Sequence, residues 1–142
     1  MMYLADVNVW LALAFQSHVH HSPAKAWFES LAAGQIVHFC RMAQQGFLRL
    51  ATNPKAFGDE AVTHVRAWEM YDAFLNDPRV LFAEEPQGLD SAWRGYTRGA
   101  TFSPKVWNDA YLAAFAQVAG LTLVSFDRGF TQYTGLTATI LS

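Results

Sequence analysis

Short, mostly apolar runs alternate with longer segments of helical periodicity along this chain, and this alternation is the strongest constraint on its fold. Continuous apolar runs of this length are typical of strands that are buried on both faces. The predicted strands are residues 2–5, 36–40, 79–83, 121–125 and 138–141. The predicted helices are residues 7–15, 24–33, 41–51, 60–75, 88–99 and 105–119. Strands that alternate with helices predict an α/β fold, with a central parallel sheet of about five strands and helices on both faces.

The composition fits a single domain that covers residues 1–142. Hydrophobic residues make up 52% of the chain and charged residues 15%, which is enough apolar surface for a core and too little charge for disorder. The net charge of −2 excludes a strongly basic surface, so nucleic-acid binding would need a local basic patch. A single cysteine, no leader segment and no apolar run of membrane length predict a cytoplasmic protein without a membrane partner.

Polar residues follow the predicted strands at the edge where α/β proteins bind ligands, outside the carboxyl ends of the strands. Asp6 and Asn8 follow the first strand, while Ser125 ends the fourth strand and Asp127 comes two residues later. Asp109 lies in the first turns of the helix that leads back to the start of the fourth strand. We therefore expect three carboxylates from distant parts of the chain to meet at one edge of the sheet.

Three neighbouring carboxylates repel one another, and this repulsion raises their pKa values unless a cation is bound between them. Oxygen ligands without a soft donor favour Mg²⁺ or Mn²⁺ over zinc. Such an ion can lower the pKa of a bound water and polarise a phosphodiester. The pattern therefore predicts that Asp6, Asp109 and Asp127 bind Mg²⁺ or Mn²⁺.

Each of these acids also has a purely structural interpretation, which stays open at this stage. Asp6 and Asp127 could be N-caps of the helical segments that follow them, because Asp is favoured at that position. Asp109 could be an acid that interacts with the dipole of its own helix. The metal hypothesis therefore depends on the joint placement of the three acids and not on any one of them.

A histidine cluster, formed by His18, His20 and His21, lies between the first two predicted helices. Zinc sites usually combine such a cluster with a second group of ligands at a set spacing. The remaining histidines, His38 and His64, are far away in the sequence. We therefore interpret the cluster as a polar loop between helices and not as a zinc site.

Four segments occur in the order that is typical of a known family. They are Asp6-x-Asn8, GFLRLATNP at 46–54, WNDAYLAAFA at 107–116 and VSFDRGF at 124–130. Together they resemble the PIN-domain ribonucleases and, among these, the VapC toxins of toxin–antitoxin pairs. The resemblance implies a three-layer α/β/α sandwich and a Mg²⁺- or Mn²⁺-dependent RNA endonuclease. It also implies a VapB-like antitoxin as partner, RNA as substrate and a homodimer.

The resemblance assigns roles to individual residues. Asp6, Asp109 and Asp127 match the metal-binding acids of the family, and Ser125 matches a hydroxyl that accompanies the last acid. Many PIN domains have a second acid, a Glu, in the helix after the second strand, and this chain has Gln44 there. An amide can accept a hydrogen bond but brings no charge, so we expect one firm metal site and a weaker second one.

Further residues are expected to act around the metal. Asn8, Gln44 and Ser125 are predicted to orient the metal ligands by hydrogen-bonding to them. Three basic residues next to the acids are predicted phosphate contacts. These basic residues are Arg41, Lys105 and Arg128.

Two alternative functions remain open from the sequence. One is a phosphatase of the haloacid-dehalogenase type with Asp6 as nucleophile, although that chemistry needs a second acid where this chain has Asn8. The other is a non-catalytic module that binds a protein and uses its acids only to cap helices. Phosphoenzyme trapping at Asp6 would identify the first, and a melting temperature that Mg²⁺ leaves unchanged would favour the second.

Overall fold

The fold is described from a computed structural model, which covers residues 2–99 and 102–142. Its sheet contains five parallel strands in the order β3-β2-β1-β4-β5. The strands are β1 Met2–Ala5, β2 Ile36–Phe39, β3 Val80–Phe82, β4 Thr122–Ser125 and β5 Ala138–Ile140. The parallel five-stranded sheet that the sequence predicts is therefore confirmed.

Helices connect β1 to β2, β2 to β3 and β3 to β4 and cover the sheet, whereas a 3₁₀ turn lies between β4 and β5. The helices are α1 Val7–Ala14, α2 His21–Glu29, α3 Arg41–Ala51, α4 Pro54–Phe57, α5 His64–Leu75, α6 Leu89–Tyr96 and α7 Lys105–Ala119. Short 3₁₀ turns are formed by Gly58–Glu60 and Arg128–Gln132. Helix α1 packs against α2 and α3, and α3 packs against α5, whereas α6 packs against α7. These two groups of helices are the outer layers of a three-layer α/β/α sandwich.

Most predicted boundaries agree with the structure within two residues, but three helices differ from the prediction. Helix α6, predicted over residues 88–99, ends at Tyr96. Helix α2 begins at His21, because proline is tolerated in the first turn of a helix, and it ends at Glu29. The predicted helix 60–75 begins only at His64, because the Thr63 side chain accepts a hydrogen bond from the Arg66 N–H and caps the start of α5, whereas Glu60 is the last residue of the preceding 3₁₀ turn.

The core is densest around the two central strands. Leu4 of β1 and Leu123 of β4 are completely buried. On one face of the sheet, the Trp10 ring of α1 stacks on Phe39 of β2, with 3.8 Å between the ring centroids. Helix α7, with a run of buried residues from Ala110 to Ala116, packs against β4. Burial on both faces explains why the sequences of β1 and β4 are almost continuously apolar.

Within the described ranges, no helix has the length and apolar character needed to cross a membrane.

Candidate active site

The carboxyl ends of β1 and β4 meet at the centre of the sheet. Ala5 is in register with Val124, and the Asp6 N–H donates a hydrogen bond of 2.9 Å to the Val124 carbonyl. Asp6 is therefore fixed beside Ser125, although the two residues are 119 positions apart. This pairing is the structural basis of the site, because it brings the first and fourth strand ends together.

The buried hydroxyl of Ser125 connects the polar groups of this edge. Its Oγ donates to Asp6 Oδ2 at 2.9 Å and accepts from the Asp127 N–H at 2.9 Å. Asn8 Nδ2 lies 3.2 Å from the same hydroxyl, and Asn8 Oδ1 accepts from the Phe126 N–H at 3.3 Å. The side chains of Ser125 and Asn8 thus hold the β1 and β4 ends in a fixed relation.

Asp6 and Asp127 each use one carboxylate oxygen for the local backbone and direct the other elsewhere. Asp6 Oδ1 accepts from the Val7 N–H at 2.7 Å and caps α1. Asp127 Oδ1 accepts from the Gly129 N–H at 2.8 Å and caps the following 3₁₀ turn. The capping interpretation and the site interpretation are compatible, because each acid keeps its Oδ2 for a different partner.

Lys105 forms ion pairs with both Asp109 and Asp127. Its Nζ donates to Asp127 Oδ2 at 3.0 Å and lies 3.9 Å from Asp109 Oδ2. The lysine side chain is 71% exposed, whereas those of Asp109 and Asp127 are 26% and 30% exposed. An ammonium group on a flexible, solvated stem therefore lies between two of the three acids.

The pKa values of the three acids differ because their surroundings differ. Burial raises the pKa of Asp6 to about 6, and the charges of Asp109 and Asp127 add to this rise, against the hydrogen bonds from Ser125 and Val7. Burial also raises the pKa of Asp109. The hydrogen bonds from Gly129 and Lys105 lower the pKa of Asp127. The site thus contains three interacting carboxylates and one ammonium group.

A divalent cation fits this set of groups by charge and by ligand chemistry. Three carboxylates against one ammonium leave an excess of negative charge, and carboxylate oxygens are the ligands that hard cations prefer. In the described part of the chain, however, no three Asp, Glu, His or Cys side chains are close enough to hold an ion as they stand. A shared ion would therefore require the Lys105 ammonium to leave its position between Asp109 and Asp127.

Gln44 and Arg41 form a separate polar pair at the start of α3. Arg41 Nη1 donates a hydrogen bond to the Oε1 of the buried Gln44, and the guanidinium lies 4.7 Å from the centre of the Phe82 ring. The Gln44 oxygen is thus engaged by a cationic side chain. Arg128 is exposed and starts the 3₁₀ turn after Asp127.

Sequence reasoning missed two features of this edge. It treated Lys105 as a phosphate contact and did not predict its ion pairs with two of the acids, although the four-residue spacing to Asp109 is the usual signal for such a pair. It also placed His20 in a loop without a role, whereas the His20 ring stacks on Phe126. No local pattern signals a contact between residues so far apart in the sequence.

The sequence model of the PIN domain matches residues 3–136. Ribonuclease VapC41 of Mycobacterium tuberculosis is 46% identical to this chain over an alignment that covers 99% of both proteins. This chain is a PIN-domain protein of the VapC family.

Solved structures of the VapC family have the same fold. VapBC2 from Rickettsia felis, solved bound to a DNA fragment from its promoter, superposes with a TM-score of 0.73 over 100% of both chains at 15% identity. VapC20 of Mycobacterium tuberculosis, a toxin that cleaves the sarcin-ricin loop, superposes with a TM-score of 0.67 at 19% identity, over 92% of this chain and 93% of that one. The predicted fold and family are therefore confirmed.

Proposed function

We propose that this VapC-family protein is a metal-dependent RNA endonuclease that acts as the toxin of a toxin–antitoxin pair. The observation that carries the proposal is the meeting of Asp6, Asp109 and Asp127 at one sheet edge, with Lys105 as the cation beside them. The relative VapC41 is named a ribonuclease. Family membership therefore favours RNA cleavage over the phosphatase and the binding module.

Asp6, Asp109 and Asp127 would hold Mg²⁺ or Mn²⁺, which when bound supplies positive charge for a phosphodiester and acidity for a coordinated water. The Ser125 hydroxyl keeps Asp6 Oδ2 at a fixed orientation through its 2.9 Å hydrogen bond. Asn8 would position Ser125, because its side chain hydrogen-bonds to the Ser125 hydroxyl and to the Phe126 N–H. Gln44 contributes no charge, which favours one firm metal site.

The contacts of the basic residues near the acids indicate which of them would bind RNA phosphates. Lys105 is charged, since its hydrogen bond to Asp127 raises the pKa of the ammonium above its usual range. Released from Asp109 and Asp127, this ammonium would be free to bind an RNA phosphate. Arg128 is exposed beside Asp127 and would bind phosphate directly, whereas Arg41 is held by Gln44 and Phe82.

The expected partners follow from the family. VapBC2 of Rickettsia felis and VapBC-1 of nontypeable Haemophilus influenzae, which have the fold of this chain, were solved as VapBC proteins. We therefore propose a VapB-like antitoxin as the inhibitor of this chain, a homodimer as its assembly and the cytoplasm, where its RNA substrates are, as its location.

An RNA cleavage assay with an Asp6→Asn variant tests the proposal. In Mg²⁺, the parent protein should cut RNA, and Asp6→Asn should reduce the rate by at least about a hundredfold because it removes a charged ligand. Asp72→Asn is a matched control, because Asp72 is an exposed acid on α5. Cleavage by Asp6→Asn at the parental rate, or equal activity of the parent in EDTA, would refute the proposal.

A further inference from the structure

His20 lies next to the candidate active site, although it belongs to the loop between α1 and α2. Its imidazole ring is nearly parallel to the Phe126 ring, with an angle of 10° between the planes and 4.3 Å between the centroids. Phe126 is the residue between Ser125 and Asp127. The stacked pair therefore adjoins the segment that carries two of the site residues.

The backbone around both rings is fixed by hydrogen bonds. The Phe126 N–H donates to Asn8 Oδ1 at 3.3 Å, so the site network positions Phe126. On the other side, the His20 carbonyl accepts from the Ala24 N–H at 3.1 Å in the first turn of α2. His21, the next residue, lies with its Nδ1 2.7 Å from the Ala12 carbonyl. These bonds tie the loop to both α1 and α2.

One face of the His20 ring has no aromatic partner in the described ranges. Phe126 covers one face, and both rings are only half-buried. The other ring contact of His20 is His18, whose centroid is 5.8 Å away and whose plane is tilted by 40°, so it does not stack. His18 is held in this orientation because its Nδ1 accepts from the His20 N–H at 3.0 Å. Among the described residues, no second aromatic ring therefore stacks on the face of His20 opposite Phe126.

Unpaired RNA bases are the flat ligands that an aromatic surface beside a nuclease site would meet. Proteins that bind single-stranded RNA stack bases on aromatic and histidine rings, and this stacking tolerates different bases because each has a π-face. An imidazole that already rests on a phenyl ring is pre-positioned for such a contact. With a net charge of −2, the chain has no strong overall attraction for RNA, so a stacked base would add binding free energy to the few phosphate contacts of Lys105 and Arg128.

We propose that His20, supported by Phe126, stacks on an unpaired base next to the scissile phosphate and thereby positions the RNA strand in the site. This inference rests on the proposed function and deepens it, because it names a residue outside the acidic site that would hold one base of the RNA strand. His20 is a positioning residue in this scheme. Its contribution depends on a planar aromatic ring and not on a proton.

The test measures binding and stacking in protein that cannot cut, with Asp6→Asn as the background. Short single-stranded RNAs carry the fluorescent base 2-aminopurine at one position in turn along the strand. We expect quenching at one position, close to the cleavage point that the parent protein defines. His20→Ala should remove this quenching and weaken binding by about tenfold, as expected for the loss of one stacked base. His20→Phe should keep both, because it retains the ring.

Two further variants separate stacking from general effects on the fold. His20→Leu can still pack on Phe126 but has no aromatic face, so it should behave like His20→Ala. His64→Ala is the matched control, since His64 is an exposed histidine in the first turn of α5. If His20→Ala does not fold, the comparison of His20→Leu with His20→Phe decides the question.

The outcomes for the two proposals differ. Parental binding and quenching in His20→Leu, or a loss of both in His20→Phe, would overturn the stacking role even if the parent cuts RNA. Position-specific quenching that depends on His20 would support the stacking role, even if the parent fails to cut RNA in Mg²⁺. Failure of the parent to cut RNA in Mg²⁺ would refute the proposed nuclease activity but not base stacking by His20.

Discussion

At the residue scale, Asp6 combines an observed structural role with the metal-binding role that we propose for it, in one carboxylate. Its Oδ1 caps α1, and its Oδ2 accepts the Ser125 hydroxyl. Burial nevertheless raises the pKa of Asp6 to about 6, which means that the folded protein destabilises the charged form. A metal-free site with this property should make stability depend on pH.

The first prediction concerns the free energy of unfolding of Asp6→Asn in EDTA. The pKa of Asp6 is about 6 in the folded state and 3.8 for an ordinary Asp, so the parent loses stability as the pH rises from about 4 to about 6. Asn removes this penalty. We expect Asp6→Asn to be more stable than the parent at pH 7 by about 1–3 kcal/mol, with the difference vanishing below pH 4.

Urea unfolding of both proteins at several pH values measures this difference. Asp72→Asn, which changes an exposed acid, should show no comparable gain. If the free energies of unfolding of Asp6→Asn and the parent differ by the same amount at pH 4 and pH 7, the raised pKa of Asp6 is contradicted.

The second prediction concerns Lys105, whose ammonium lies between Asp109 and Asp127. Because this group must leave before an ion can share the two acids, it competes with the metal. Lys105→Met should therefore bind Mn²⁺ several-fold more tightly than the parent in calorimetric titrations. Lys55→Met, at an exposed lysine on α4, should bind Mn²⁺ like the parent. Weaker binding by Lys105→Met would show that the ammonium does not compete.

At the scale of elements, the sequence predicted the five strands and also α3 and α7, the helices that carry Gln44 and Asp109. The bounds of α3 and α7 agree with the prediction, because a stop signal directly follows each helix: Thr52-Asn53-Pro54 after α3 and Gly120 after α7. The convergence of Asp6 with Ser125 was predictable because parallel strands share one carboxyl edge. The positions of Lys105 and His20 were not, since side-chain pairing across elements depends on packing that has no local pattern.

Helix α3 approaches the start of α1 closely at Gly46. A Cβ atom at Gly46 would lie 2.7 Å from Cγ2 of Val7, the residue after Asp6. Valine is stiff at χ1, so it cannot easily move aside. The close approach of the two helices therefore depends on a residue without a side chain.

The third prediction compares Gly46→Ala with Gly95→Ala. Alanine normally favours a helix over glycine by about 1 kcal/mol, and at Gly95 in α6 a Cβ would meet open space, so this variant should be neutral or more stable. At Gly46, overpacking should instead lower the free energy of unfolding by about 1–3 kcal/mol. Urea unfolding measures both. An equally stable Gly46→Ala would mean that α3 and α1 can separate freely.

At the scale of the whole molecule, the metal should act on stability as well as on chemistry. A ligand that binds only the folded state at a hundred times its dissociation constant adds about 2.7 kcal/mol. The fourth prediction is that Mg²⁺ raises the melting temperature of the parent by several degrees and leaves an Asp109→Asn/Asp127→Asn double variant unchanged. The same rise in both proteins would place the ion elsewhere.

The order of the strands has a consequence for protein synthesis. β1 lies between β2 and β4, and Asp6 needs a hydroxyl that is 119 residues further along the chain. A nascent chain that has not yet released β4 from the ribosome carries Asp6 without Ser125 or Asp127. The site that we propose can therefore be complete only when translation is almost finished, and a truncated product that ends before β4 should not cut RNA.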